Sequence, residues 1–232
     1  MMTTIEGATV LVTGGQRGLG KAFVDELLAR GAAKVYATAR QPVPSDDPRV
    51  VSLALDVTDQ DSVAALAREA TDVSIVINNA GISGGGGSLL SAEIDDAKAT
   101  FETNVFGALR IAQAFAPVLA TNGGGALVDI HSALSWIAGA GAYGASKAAF
   151  WSLTNSLRVE MAGQGTQVVG VHLGYTDTEM VKNVTAPKND PRKVAADTVT
   201  AVEAGATEVL ADDASRYFKS VLSGPVEGLR LG

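Results

Sequence analysis

The sequence predicts an α/β fold in which a parallel sheet is covered by helices on both faces. Three observations predict it: apolar runs alternate with helix-length stretches, several runs are almost continuously apolar, and a glycine-rich turn follows the first run. Strands buried on both faces of a parallel sheet have this continuous apolar character. When helices link successive strands, right-handed crossovers build a doubly wound sheet.

Seven apolar runs are predicted to be strands, at residues 8–13, 33–39, 50–55, 73–78, 125–131, 166–173 and 207–211. Helices are predicted at residues 18–30, 59–70, 97–120, 142–162 and 191–204. Gly31 is typical of the position after a helix, and Asp59 is a typical N-cap of the next one. The series predicts a Rossmann-like, doubly wound, seven-stranded parallel sheet.

The connections between these elements are rich in glycine and proline. Loops are predicted at the glycine runs 84–87 and 122–125 and at the proline-containing stretches 42–48 and 187–191. The final stretch "SGPVEGLRLG" shows no clear periodicity, and no element is predicted there.

Composition limits the classes of function. A chain of 232 residues is expected to form a single domain over residues 1–232. The apolar fraction of 47% and charged fraction of 19% are typical of a globular protein. A net charge of −7 argues against binding to nucleic acid or to an anionic membrane. The absence of cysteine from the sequence excludes disulfides, thiolate metal ligands and a cysteine nucleophile.

The sequence also predicts neither a metal site nor a membrane segment. Its two histidines, His131 and His172, lie in predicted strands and are expected to pack in the core, since metal sites usually need a cluster of ligands. The start "MMTTIEGATVLVTGG" lacks a secretory pattern, and the apolar runs are shorter than the ~18 residues of a membrane helix. A cytoplasmic protein is expected.

The stretch "TGGQRGLG" (13–20) lies between the first predicted strand and the first predicted helix. Its glycines follow the spacing Gly14-x3-Gly18-x-Gly20. Glycines permit a tight turn and let the backbone approach a pyrophosphate, and the helix N-terminus offers free N–H groups and a positive dipole end. This stretch predicts a nucleotide-phosphate site.

The stretch "AYGASKAAF" (142–150) places Tyr143 and Lys147 four residues apart, on one face of a predicted helix. By itself this spacing is more typical of a solvated pair than of an acid–base device. The interpretation therefore depends on the other motifs of the chain.

Several such motifs follow one another in order: "LDVTD" (55–59), "NNAG" (78–81), "ETNVFG" (102–107), "DIHSALSW" (129–136), "YGASK" (143–147) and "LGYTDT" (173–178). Together with the glycine turn they resemble the short-chain dehydrogenase/reductase family in its compact one-domain branch. The resemblance covers residues 5–211, and the combination is very specific although each motif alone is not. It favours the acid–base interpretation of Tyr143 and Lys147.

The resemblance implies a catalytic set. Tyr143 would protonate the substrate carbonyl oxygen, and Lys147 would hold the nicotinamide ribose and lower the pKa of the phenol from about 10. Ser132 would hydrogen-bond the substrate oxygen. Asn104 would anchor a water that relays protons. Ser135 remains an alternative to Ser132, because His131-Ser132 stands where the family usually has two serines.

The resemblance also implies which residues bind the cofactor. Asp56 and the backbone at Val57 would meet the adenine, Asn79 would line the ribose side, and Thr178 would hold the nicotinamide carboxamide. Loop capping is the alternative for Asp56 and Asn79. The full implied set is Gly14, Gln16, Arg17, Gly18, Leu19, Gly20, Arg40, Asp56, Val57, Asn79, Ala80, Gly81, Tyr143, Lys147 and Thr178.

NADP (NADPH) is predicted as the cofactor, with NAD less favoured. Family members that prefer NAD have an acidic residue at the end of the second strand, where this chain has Ala39 followed by Arg40. Arg17 would approach the 2′-phosphate from the other side. Guanidinium groups suit phosphate oxygens and stay charged at any working pH.

The implied reaction is reduction of a ketone or aldehyde by NADPH, or in reverse the oxidation of an alcohol. A dinucleotide sensor is an alternative, although it would not need the four catalytic residues; a sugar-nucleotide epimerase would need more chain. The segments that shape the family's pocket predict an apolar small-molecule substrate of modest size, with packing as the alternative for Trp136 and Trp151. Those pocket residues are Leu134, Trp136, Ile137, Tyr175, Met180 and Val181.

Two further expectations come from the resemblance. Leu173-Gly174 replaces the family's common Pro-Gly, which predicts a less rigid loop after the sixth strand. The helices at 97–120 and 142–162 are rich in apolar residues, and in the family such helices pair across two-fold axes. A homotetramer, or a homodimer, is therefore expected.

Overall fold

The computed structural model describes residues 3–84 and 88–230 and confirms the predicted fold class. Seven strands form one parallel sheet in the order β3-β2-β1-β4-β5-β6-β7. The strands are β1 Thr9–Val12, β2 Lys34–Ala39, β3 Val50–Ala54, β4 Ile75–Asn78, β5 Ala126–Ile130, β6 Gln167–His172 and β7 Glu208–Leu210. The order changes direction between β1 and β4, and in such sheets ligands bind outside the carboxyl ends of the strands at this point.

Helices cover both faces of the sheet. They are α1 Gly18–Ala29, α2 Gln60–Glu69, α3 Ile94–Phe101, α4 Ala108–Thr121, α5 Gly141–Glu160, α6 Pro191–Glu203 and α7 Asp213–Val221. Alternate residues of β1 enter two apolar cores: Val10 and Val12 pack with α1 and α6, whereas Leu11 packs with α2 and α4. This alternation follows from the two-residue period of a strand.

The predicted helix at 97–120 is interrupted in the structure. A π-helical turn, Glu102–Gly107, separates α3 from α4 and contains Asn104. At its end the helix approaches Val57 so closely that a Cβ on Gly107 would lie 2.7 Å from Val57 Cγ2. A π turn inserts one extra residue into the helical register, and such turns are frequent at functional sites.

The helix α7 was not predicted. It begins with Asp212 as N-cap, and Asp212 and Ser215 form a reciprocal capping box. The Asp-x-x-Ser pattern was a readable signal of this helix start, and Ala214, Tyr217, Phe218 and Val221 follow it at helical spacing. The C-terminal stretch then contacts the segment between β5 and α5, where Ala138 donates its N–H to Leu229 O at 2.8 Å.

The predicted glycine loop at 122–125 is confirmed, since Gly123, Gly124 and Gly125 all have positive φ. Most of the loop predicted at 84–87 lies outside the described residues. Across residues 3–84 and 88–230, none of the helices combines the length and the apolar character that crossing a membrane requires.

Candidate active site

The glycine turn leads from β1 directly into α1. Gly14 and Gly18 have φ values of 65° and 52°, which other residues rarely adopt. A Cβ on Gly20 would lie 2.1 Å from Gly14 O, so only glycine lets α1 pack on the turn. The side chain of Leu19 is buried in the core, so the predicted cofactor contact of this residue would come from its backbone N–H.

The N-terminus of α1 differs from those of α2, α6 and α7. Each of these three helices is capped by an aspartate side chain. At α1 the N-cap is Arg17, whose side chain makes no capping bond within the described part of the chain, and the first turn carries no acidic residue. The N–H groups of this helix end therefore suit an external anion such as a phosphate.

A buried threonine joins the glycine turn to the end of β4. The Thr13 hydroxyl accepts hydrogen bonds from the N–H groups of Asn79 and Ala80, both at 2.9 Å. The Asn79 side chain donates to Thr13 O at 2.9 Å. Thr13 was not among the predicted site residues, although its position directly before Gly14 was a signal. The side chain of Asn79 thus supports the turn.

The adenosine side of the predicted site lies around Arg40. Gln16 fastens the loop that follows Arg40, because its amide donates to Val43 O at 2.8 Å and accepts the Val43 N–H at 2.9 Å. Its predicted contact with the cofactor is therefore left to its backbone. The side chains of Arg17 and Arg40 are both exposed at this edge.

Asp56 has a local structural partner, as the capping alternative predicts. Its Oδ1 accepts the N–H and the hydroxyl of Thr58, at 2.9 and 2.7 Å. These bonds lower the pKa of the Asp56 carboxyl, and the charge of Arg40 acts in the same direction. The side chain of Val57 is buried against Gly107, so the predicted adenine contact would come from its backbone.

The π-helical turn brings Asn104 to the centre of the site. Its Oδ1 accepts the N–H of Ile82, and its Nδ2 donates to Ile82 O, each at 2.9 Å. The same Nδ2 donates to Ser146 Oγ at 3.0 Å, which joins α5 to the segment after β4. A Cβ on Gly81 would lie 3.2 Å from Asn104 Oδ1 and 3.7 Å from Lys147 Nζ. Asn104 therefore holds three segments together; Ser146 was not predicted.

Tyr143, Lys147 and Ser132 converge where β5 ends and α5 begins. Lys147 Nζ donates to Ile130 O at 2.8 Å and lies 5.9 Å from the centre of the Tyr143 ring. Ser132 Oγ accepts the N–H of Leu134 at 3.1 Å, and its hydroxyl also affects the phenol of Tyr143. The structure therefore places the sequence-predicted triad in one cluster.

The pKa predicted for Tyr143 was wrong in direction. Burial raises the pKa of the Tyr143 phenol to about 12, and the Ser132 hydroxyl only partly opposes this rise. Burial also lowers the pKa of the Lys147 ammonium to about 8, against the opposing charge of Asp129. Desolvation disfavours the charged form of both groups, and it outweighs the attraction between phenolate and ammonium on which the prediction for Tyr143 rested.

The alternative serine occupies a different environment. Ser135 is 7% exposed, and its hydroxyl finds no hydrogen-bond partner among the described residues. Ser132, by contrast, is the hydroxyl that interacts with Tyr143. This geometry favours Ser132 for contact with a substrate oxygen.

The residues predicted to shape a pocket divide into two groups. Trp136 is buried and stacks on His172 with ring centres 4.0 Å apart. It therefore packs in the core, which is the alternative to a role in the pocket. Ile137 is also buried, and both His131 and His172 lie in the core as expected. The remaining pocket residues are half-buried or exposed: Leu134, Tyr175, Met180 and Val181.

Thr178 reaches the cofactor cradle from the far half of the chain. It follows β6, and a Cβ on Gly18 would lie 3.2 Å from Thr178 Cγ2. The loop after β6 therefore closes against the start of α1. The predicted segments therefore lie at the carboxyl ends of β1 to β6, around the crevice where sheets of this kind bind their ligands.

Comparison with known proteins tests the resemblance. The sequence profile described as short chain dehydrogenase matches residues 8–189. Ketoacyl reductase HetN of Nostoc sp. is 30% identical over 231 residues, covering 90% of this chain and 80% of the relative. A short-chain dehydrogenase of Burkholderia cenocepacia in complex with NADP is 37% identical, with a TM-score of 0.91 over 97% of each chain. One of Burkholderia phymatum in complex with NAD, 21% identical with a TM-score of 0.84 over 96% of each chain, shows the shared fold.

The matched range, residues 8–189, spans the glycine turn, Asn104, Ser132, the Tyr143–Lys147 pair and Thr178. Glycines that a Cβ would obstruct, and an uncapped helix end beside them, fit a dinucleotide phosphate. The chain therefore belongs to the short-chain dehydrogenase family, whose members are oxidoreductases that bind nicotinamide cofactors.

Proposed function

We propose that this protein is an NADP-dependent carbonyl reductase, or in reverse an alcohol dehydrogenase, in which Tyr143 is the general acid or base. The observation that carries the proposal is the convergence of Ser132, Tyr143 and Lys147 beside the glycine turn. When bound, the reduced nicotinamide supplies the hydride that the carbonyl carbon accepts. The protein residues orient the carbonyl group and supply the proton.

The phenol of Tyr143 is protonated at neutral pH, because burial holds its pKa at about 12. A protonated phenol is the form that reduction requires, since the proton passes from Tyr143 Oη to the carbonyl oxygen. Ser132 donates a hydrogen bond to the same oxygen and stabilises the negative charge that develops there. Lys147 holds the nicotinamide ribose. The products are an alcohol and oxidised cofactor.

Asn104 contributes to this arrangement by holding other groups in place. Both hydrogen atoms of its amide have protein partners, Ile82 O and Ser146 Oγ. The proton relay through a water at Asn104 stays a prediction.

NADP is supported by the two arginines and by the absence of an acid at Ala39. The Burkholderia cenocepacia relative was solved with NADP. The substrate class follows from the half-buried apolar residues Leu134, Tyr175 and Val181, together with the ketoacyl reductase relative. We propose an apolar ketone, aldehyde or keto ester of modest size.

The decisive test measures NADPH consumption with a panel of ketones, aldehydes and keto esters. Tyr143→Phe should lower kcat at least ~100-fold, the usual contribution of a general acid, and leave NADPH binding unchanged. Ser132→Ala should lower kcat by a similar factor, whereas Ser135→Ala should stay within a few-fold of wild type. A Tyr143→Phe enzyme of nearly wild-type kcat would refute the assignment.

We further propose that the chain assembles as a homotetramer or homodimer. The helices that should pair carry exposed apolar side chains, with Ile94 68%, Phe106 48% and Val159 77% exposed. Burying such surface against a second copy is favourable. Light scattering at micromolar concentration should give a multiple of the chain mass of 23.6 kDa; a monomeric mass would contradict the proposal.

A further inference from the structure

The loop that follows β6 is held at both ends by one carboxylate oxygen from a distant segment. At its start, Gly174 donates its N–H to Asp212 Oδ2 at 2.5 Å. At its end, Asn189 Nδ2 donates to the same oxygen at 2.5 Å. We call the segment between these two residues, 174–189, the β6 loop.

Backbone bonds close the β6 loop beside this oxygen. Asp177 donates its N–H to Asn189 O at 3.0 Å, and Asn189 donates its own N–H to Tyr175 O at 2.8 Å. A Cβ on Gly174 would lie 3.0 Å from Asp212 Oδ2, so any larger residue would crowd this approach. The loop that the sequence predicted to be less rigid is therefore fastened at its base.

The two oxygens of Asp212 have separate partners. Oδ1 accepts the N–H and the hydroxyl of Ser215, at 2.7 and 2.8 Å, and so caps α7. Within the described part of the chain, Oδ2 accepts only from the two ends of the β6 loop. Burial opposes ionisation of Asp212, but the bonds from Ser215, Gly174 and Asn189 outweigh it and lower the pKa of the carboxyl.

The consequence for the site comes through Thr178. The β6 loop carries this residue against Gly18 of the glycine turn. Asp212, which holds the loop base, lies 38 residues after Gly174 and 23 after Asn189, outside the family match at 8–189. We propose that Asp212 is a positioning residue, which holds the β6 loop so that Thr178 can contact the bound cofactor. This inference rests on the proposed function.

The test uses Asp212→Asn in the full chain. The asparagine keeps an oxygen for Ser215, so α7 stays capped. Its NH2 group then faces the two donors of the β6 loop. The matched control is Asp213→Asn, since the Asp213 side chain is fully exposed and contacts Arg216. Asn189→Ala is a second variant, which removes one donor and leaves the α7 cap intact.

Hydrogen exchange and kinetics are measured together. In Asp212→Asn, the amides of Gly174, Asp177 and Asn189 should exchange at least about tenfold faster, the size of one charged hydrogen bond, with the α7 amides unchanged. The KM for NADPH should rise about tenfold, and kcat should change less than threefold. Asn189→Ala should act in the same direction more weakly, and Asp213→Asn should alter neither quantity.

Three results would overturn the inference. Unchanged exchange in the β6 loop, or equal acceleration in α7, would reduce Asp212 to a helix cap. Faster loop exchange with an unchanged KM for NADPH would remove its connection to the cofactor. Should the wild type reduce no carbonyl compound at all, the proposed function fails, while NADPH binding and exchange still decide the role of Asp212.

Discussion

The glycine turn at 13–20 and the Tyr143 region at 129–147 border the same crevice but are built differently. In the glycine turn, the shape comes from backbone: Gly20 touches Gly14, and Thr13 bonds main-chain N–H groups. Around Tyr143, buried side chains from separate segments make the contacts, such as Asn104 with Ser146. The glycine turn is therefore sensitive to added side-chain volume, whereas the function of the Tyr143 region depends on the charge and protonation of its side chains.

The largest effect is expected from adding one methyl group to the glycine turn. A Cβ in Gly20→Ala would lie 2.1 Å from Gly14 O and 2.7 Å from Asn79 Nδ2. The turn must open, so the Kd for NADPH should rise at least ~100-fold, equivalent to about 2.7 kcal/mol. Fluorescence titration measures it. Gly163→Ala is the control, because its Cβ would meet open space. A wild-type Kd for NADPH in Gly20→Ala would contradict the prediction, because it would show that the turn accommodates the added methyl group.

A smaller effect is expected at the outer edge of the same region, where cofactor binding is expected to depend on the charge of Arg40 and not on close packing. Arg40 is exposed and its charge acts on Asp56. Losing one charge-assisted contact worth about 1.5–3 kcal/mol should weaken NADPH roughly tenfold to a hundredfold in Arg40→Ala. Ala39→Asp should shift preference towards NADH.

These two variants are compared with wild type by kcat/KM for NADPH and NADH. The control is Arg49→Ala, since Arg49 is paired with Asp47 at the amino end of the β2–β3 pair, opposite to the carboxyl end that carries Arg40. A wild-type enzyme that uses NADH as well as NADPH would refute the argument from Arg17 and Arg40.

The smallest effect is expected in the Tyr143 region and concerns pH. Burial lowers the pKa of Lys147 to about 8, so the ammonium is present below that pH and is lost above it. Carbonyl reduction should therefore fall as pH rises through about 8. Tyr143, with its pKa raised to about 12, remains a phenol across this range and does not cause the fall.

Asp129 offers a second test of this prediction, because its charge raises the pKa of Lys147 and so partly offsets the effect of burial. It is fully buried, accepts the Thr154 hydroxyl at 2.7 Å, and has its own pKa raised to about 6 by burial. In Asp129→Asn the fall in kcat/KM should move to lower pH by up to about one unit. Asp25→Asn, an exposed acid paired with Lys21, is the control. An unmoved profile in Asp129→Asn would exclude this electrostatic link.

The sequence by itself determined the fold and most of the crevice. Largely apolar runs predicted all seven strands, because burial on both faces favours apolar residues. The glycine turn was readable because its conformation depends on residues adjacent in the chain. The Tyr143–Lys147 pair was readable through helical spacing together with the family motifs.

The tertiary structure alone decided what depends on contacts between distant segments. Asp212 and Gly174 are far apart in the sequence, and nothing in either local pattern indicates that one bonds the other. The π turn at Asn104 likewise reflects close packing against Val57 and Ile82. The protonation of Tyr143 depends on how completely surrounding segments exclude water, and desolvation is a property of the folded molecule.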